Sequence, residues 1–206
     1  MKKLICLMAF FLFPLSLAWS FQIDLTSAQI QEAIDCGKIN NGNEYTDVMK
    51  EWRVESNNNK VGFIIVDSSF YYLASFSYLQ SKKYQELLPK EIKELISRSK
   101  NEVFFNIYVY GNSIDFAEDY HVVLKYKDKI IQPKTKKNES YASTSGYWPN
   151  DPAYSAMLNY GFLFRKQDSK SKKETMIFNP DDTITLTIIP PNDNEINIEV
   201  DLSAMR

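Results

Sequence analysis

Residues 103–110 alternate strictly. Val103, Phe105, Ile107 and Val109 form one set, and Phe104, Asn106, Tyr108 and Tyr110 form the other. A period of two, carried by β-branched and aromatic residues, is the pattern of a strand and does not fit a helical stripe. The first set is wholly apolar and belongs in a core. The second carries an amide and two hydroxyls, so it is expected to be at most half-buried. Gly111 and Asn112 follow. Both tolerate positive φ, and a tight turn is expected there.

The same period runs through the rest of the C-terminal half. Tyr120, Val122, Leu124 and Tyr126 share a face, and Lys127-Asp128-Lys129 turns the chain into Ile130-Ile131-Gln132, which Pro133 stops. Leu158, Tyr160, Phe162 and Phe164 align in a further strand, and residues 175–178 read as a short one. Ile184, Leu186 and Ile188 alternate with threonines. After a turn at Pro190-Pro191, Ile196, Ile198, Val200 and Leu202 alternate with Asn197, Glu199 and Asp201. Residues 134–151 are polar and read as a long loop. Six or seven short strands in about 105 residues fit a mainly antiparallel, immunoglobulin-like β-sandwich, without the disulfide and Trp of true immunoglobulin domains.

Residues 21–100 read differently, as helices around one strand. Thr26 and Gln29 form a capping box ahead of Ile30, Ala33 and Ile34, with Gly37 or Gly42 expected to end that helix. Residues 45–54 are ambiguous, since Val48, Met49 and Trp52 have helical spacing. Residues 61–66 are a buried strand. Asp67-Ser68-Ser69 caps a second helix, whose expected stripe is Tyr72, Leu73, Phe76 and Leu79 or Gln80. Pro89 and Glu91 open a third, with Ile92, Leu95 and Ile96 as its apolar face. No Pro/Gly-rich linker divides the two regions. The expected architecture is therefore one α+β unit, with N-terminal helices (21–100) packed on the β-sandwich (101–206).

The N-terminus carries the most specific signal. Lys2-Lys3 precedes an apolar run over residues 4–17, and Ala18-Trp19-Ser20 places small residues around a cut after Ser20. Residues 1–20 are thus read as a cleaved secretory signal peptide, too short for a stable transmembrane span. An extracytoplasmic protein, periplasmic or secreted, is expected. Cys36 is then the only cysteine of the mature chain, so no internal disulfide can form. The full chain has 24 basic and 26 acidic side chains. Cleavage removes Lys2 and Lys3 and no acid, leaving a net negative charge. Nothing here recruits nucleic acid by a global basic field.

Five groups of residues carry a resemblance. Three are residues 28–34 followed by Gly37, the strand-to-helix entry Val66-Asp67-Ser68-Ser69, and Val200-Asp201-Leu202-Ser203 near the end. Together with Val122-Val123-Leu124 and Ile130-Ile131-Gln132-Pro133, the chain resembles a broad group of exported bacterial proteins with N-terminal helices and a C-terminal β-sandwich-like region. The common Thr-Pro of that group at the strand-to-helix entry is replaced here by Ser68-Ser69. The resemblance implies no activity, cofactor or catalytic residue.

Catalytic inventory is thin. His121 is the only histidine and lies opposite the core set of its strand. No Gly-x-Ser-x-Gly elbow offers it a nucleophile, and phosphate-loop and dinucleotide fingerprints are absent. Multi-His or multi-Cys zinc sites are excluded by count. Asp115, Glu118 and Asp119 cluster between strands, and Asp181-Asp182 and Asp193 with Glu195 fall in turns. Such carboxylates could serve acid/base chemistry or hold Ca²⁺, but Asp and Asn are also what turns demand. No catalytic residue, metal or cofactor is assigned. The most suggestive stretch is residues 141–154, where Tyr147, Trp148, Asp151 and Tyr154 stand as the ligand-binding candidates. Large rings with polar tips in a polar loop suit a stacking platform for sugars or a protein partner, or else staple the loop to the sandwich. The expected function is an exported non-enzymatic binding or interaction protein of the bacterial cell envelope. A carbohydrate-binding or carbohydrate-active module is the alternative, and an envelope protein or a glycan is the expected partner.

Overall fold

The computed structural model describes residues 21, 24–99, 101–167, 173–191 and 193–205. The signal peptide reading lies outside them. The fold is α+β, with four helices and mainly antiparallel sheets among the described residues. In chain order, α1 (Ser27–Ile39) and the short α2 (Tyr45–Val48) precede β1 (Arg53–Glu55) and β2 (Val61–Asp67). Next come α3 (Ser69–Ser81), α4 (Pro89–Ser99), β3 (Glu102–Gly111), β4 (His121–Tyr126) and β5 (Lys129–Ile131). The chain continues through β6 (Thr135–Asn138), β7 (Ser143–Thr144), β8 (Tyr154–Leu163), β9 (Arg165–Gln167) and β10 (Glu174–Met176). It finishes with β11 (Thr183–Ile189) and β12 (Ile196–Asp201).

The first sheet has the order β1-β2-β3-β8-β6, with β7 also pairing β8. The second has the order β12-β11-β4-β5, and β9-β10 is a separate hairpin. Strand β2 comes from the N-terminal half, yet it pairs with β3 along most of its length, from Val61 opposite Val109 to Asp67 opposite Phe104. The alternation of β3 is realised as expected. Val103, Phe105, Ile107 and Val109 are buried, and Phe104, Asn106, Tyr108 and Tyr110 are half-buried. Opposite Phe105 and Ile107, β8 contributes Tyr160 and Leu158 to the same core face. That core is shared with Leu124, Leu186 and Val200 of the second sheet and with Phe70 and Leu73 of α3.

Several local expectations are corrected. Gly37 does not stop α1; it lies inside the helix. A Cβ there would collide with the Ala74 carbonyl and come within 2.7 Å of Ser77 Cβ. The bare backbone is what lets α1 lie close against α3. For the same reason the stripe of α3 is not the expected one. Phe70, Tyr71, Leu73, Ala74, Ser77 and Tyr78 are buried, while Phe76 and Leu79 are exposed. The helix packs against α1, α4 and Trp52, so small residues face its neighbour and two large ones are left outside. Gly111 has no positive φ. It is required because a Cβ would overlap the Phe116 ring. Residues 134–151 are not all loop, since β6 and β7 pair with β8. The capping box of Thr26 with Gln29, the Ser68 cap of α3 and the buried Leu95 of α4 match their expectations.

Candidate functional site

The half-buried face of the first sheet is where side chains of chemical interest converge. The cross-strand register places Arg53 of β1, Phe63 and Ile65 of β2, and Tyr108 and Asn106 of β3 on that face. The Arg53 guanidinium sits 3.9 Å from the centre of the Phe63 ring. Phe63 in turn stacks on Tyr108, with centroids 4.2 Å apart and planes 23° from parallel. Cation, phenyl and phenol thus form a continuous stack across three strands. Arg53 is held from the side by Glu55, with Nε 2.7 Å from Oε1.

Beside this stack the register between β2 and β3 shifts at Val61/Phe63. Gly62 lies at the shift, and a Cβ there would come within 2.7 Å of Tyr110 Cε2. The Tyr110 ring therefore lies down over the bare backbone, and its opposite side meets Tyr147 edge-on, at 6.4 Å between centroids and 77°. The result is a cleft of about 380 Å³ walled by Arg53, Phe63, Tyr110 and Tyr147 and closed by Pro152 and the loop at Ser56, Asn58 and Asn59. Its size falls in the range of small-molecule sites. Arg53 is the one charged side chain among these lining residues.

The loop that delivers Tyr147 is pinned. Ser145 Oγ donates to the Pro152 carbonyl and accepts from Tyr147 N at 3.0 Å. Ser145 N donates to the Ala153 carbonyl at 2.9 Å, and Ala153 N to Asn112 Oδ1 at 3.1 Å. The Trp148-Pro149 and Asp151-Pro152 peptide bonds are cis. Of the four candidates from the sequence, only Tyr147 lines the cleft, at 60% exposure. Trp148 is 57% exposed beside it, and Asp151 also faces solvent. Tyr154 starts β8, opposite Gly111 and Thr144, and is packed against the core. Arg53, Phe63, Tyr110 and Asn58 were not legible as site residues, because their meeting depends on strand register. The one available signal was the polar-aromatic face of β3.

A polar row crosses the same sheet face. Asp67 Oδ2 accepts from Asn106 Nδ2 at 2.8 Å, and Asn106 Oδ1 accepts from Asn159 Nδ2 at 2.6 Å. Asp67 is almost wholly buried, and its Oδ1 makes no hydrogen bond of good geometry. Burial pushes its pKa from 3.8 up to about 7, against the opposing pull of bonds from Asn106 and the nearby Tyr72 phenol. Desolvation likewise raises Tyr71 and Tyr72, with the Asp67 charge adding to both.

The other candidates lie apart from the cleft. His121 is exposed on β4, its Nδ1 3.2 Å from Lys136 Nζ. Asp182 accepts a hydrogen bond from the Tyr126 hydroxyl, which lowers its pKa. Asp193 pairs with Lys60, and Glu195 with Lys125 at 2.8 Å. Among the described residues, no three His, Cys, Asp or Glu side chains converge as metal ligands would. No helix among them is long and apolar enough to cross a membrane. No protein family, curated protein or solved structure matches the chain.

Proposed function

We propose that the chain is an exported, non-enzymatic binding protein of the bacterial cell envelope, and that the cleft beside Tyr147 takes a sugar ring. The observation that carries this is the lining. Aromatic walls meet at a cleft of small-molecule size, with one guanidinium and loop amides as the polar groups. A pyranose has apolar C–H faces and a rim of hydroxyls. The faces suit Tyr110 and Tyr147, and the rim suits Arg53 donors and the Asn58–Asn59 loop. A strongly anionic ligand fits less well, because Arg53 is already paired with Glu55. Export rests on the Lys2-Lys3 and apolar pattern of residues 1–20. We also read the two sheets as an immunoglobulin-like sandwich, a reading supported by their antiparallel pairing and common core. A protein partner is the second reading, favoured by the exposed Tyr141 and Trp148.

A glycan array followed by calorimetry on residues 21–206 tests the first reading. Binding that is lost in Tyr147→Ala and weakened in Phe63→Ala is expected. No binding above background, or binding indifferent to Tyr147→Ala, overturns it.

A further inference from the structure

The cleft does not end at Phe63. On β3 the residues of its face continue as Tyr110, Tyr108, Asn106 and Phe104, and the six steps of strand between the first and last span roughly 20 Å. Phe63 and Tyr108 connect the cleft to the amide row, since Tyr108 stacks on the cleft's own Phe63 and sits next to Asn106 on the face. At the far end the geometry of the cleft is repeated. Gly161 of β8 stands opposite Phe104, and a Cβ there would come within 2.6 Å of Phe104 Cε1. A second ring therefore lies over bare backbone, as Tyr110 lies over Gly62.

Between the two rings the amides are fixed in direction. Asn106 donates its Nδ2 to Asp67 Oδ2, so its NH₂ is turned toward β2 and its oxygen toward β8. Asn159 must then donate to it, which leaves Asn159 Oδ1 and its second N–H for another group. Asn106, Asn159, Phe104 and Tyr108 are all half-buried and uncharged, Glu102 beside Phe104 is paired with Lys134 at 2.7 Å, and Lys137 of β6 stands opposite Asn159 at the margin of the face.

We propose that this face is a continuation of the binding site, and that the ligand is a linear, uncharged oligosaccharide. One ring lies in the Tyr147 cleft, and later rings lie along Tyr108, Asn159 and Phe104. The inference rests on the sugar reading of the cleft. An extended glycan fits because it repeats flat apolar faces and hydroxyl edges at short intervals, as this face repeats flat rings and amides. Asp67 is a positioning residue here, acting on the ligand only through Asn106 and Asn159.

The test uses β-1,4-linked N-acetylglucosamine and glucose oligomers of one to four units, titrated calorimetrically into residues 21–206. Affinity is expected to rise with length, and Asn159→Ala is expected to remove about fivefold from the tetramer while leaving the monomer unchanged. Phe104→Leu is expected to act the same way, while Tyr147→Ala removes binding at every length. Affinity independent of length, or an equal loss for monomer and tetramer in Asn159→Ala, overturns the extension and leaves the cleft standing. Loss of no length in Tyr147→Ala overturns the cleft itself. Unchanged melting of Asn159→Ala separates these outcomes from misfolding.

Discussion

One strand, β3, presents two surfaces built on opposite logic. On its core side Val103, Phe105, Ile107 and Val109 are closed off from water and meet β8 and the second sheet. On its other side rings are spent on one another and on bare glycine backbone, and amides hydrogen-bond in a row that ends at a buried acid. The first surface gains by excluding water from apolar area. The second keeps polar capacity half-exposed, as the outward face of an antiparallel sheet does. Stability should reside in the first set of side chains and, on the binding role proposed above, recognition in the second, although both share a backbone.

Substitutions on the two faces of β3 should have opposite effects. The largest expected effect is on the core side. Phe105→Ala removes a fully buried ring that meets Phe162 edge-on at 5.7 Å. It should cost about 3–5 kcal/mol in urea unfolding. An effect as small as that of a surface change would mean that the two faces are not divided as described.

The buried acid of the open side is next. Its folded pKa of about 7 lies above the ordinary 3.8, so the folded protein holds a proton that the unfolded chain has released between those values. Stability should then fall as pH rises from about 4 to about 7, by up to about 4 kcal/mol, and level off above. Asp67→Asn should flatten that slope and be relatively more stable at pH 8 than at pH 5. A profile unchanged by Asp67→Asn would remove the acid from the account. Third, Gly37→Ala should push α1 from α3 and cost about 1–3 kcal/mol by thermal unfolding, with no change in ligand affinity. The smallest stability effect is expected at Tyr147→Ala, within about 0.5 kcal/mol, because the ring is mostly exposed. Its effect should appear in binding instead, the inverse of Phe105→Ala.

What could be read from the sequence follows from which physics is local. The faces of β3, β4, β8, β11 and β12 were legible because burial on one side of a strand imposes period two on the chain itself. The edge strands of the first sheet, β1 and β6, were not. Thr135–Asn138 leaves two lysines in solvent, and an edge strand with exposed side chains has no apolar alternation to display. The stripe of α3 was misread because a helix packed on several sides has no single stripe. Gly37 looked like a stop because a glycine needed for close approach and one needed for a turn are the same letter. At the site, Tyr147 stood out as an aromatic in a polar loop. Its neighbours Arg53, Phe63 and Tyr110 come from three strands, and their register is a tertiary fact.

The position of β2 has a further consequence. It arrives from the N-terminal half and covers one side of β3, while β8 covers the other. A fragment starting at residue 101 would keep the whole second sheet but would lose β1 and β2 from the first and bare one edge of β3. That edge is a long row of unpaired amides and carbonyls beside an aromatic surface, which is a template for a second chain. Proteolytic loss of residues 21–100, or their late docking during folding, would thus lead to molecules joining edge to edge rather than to a smaller separate domain.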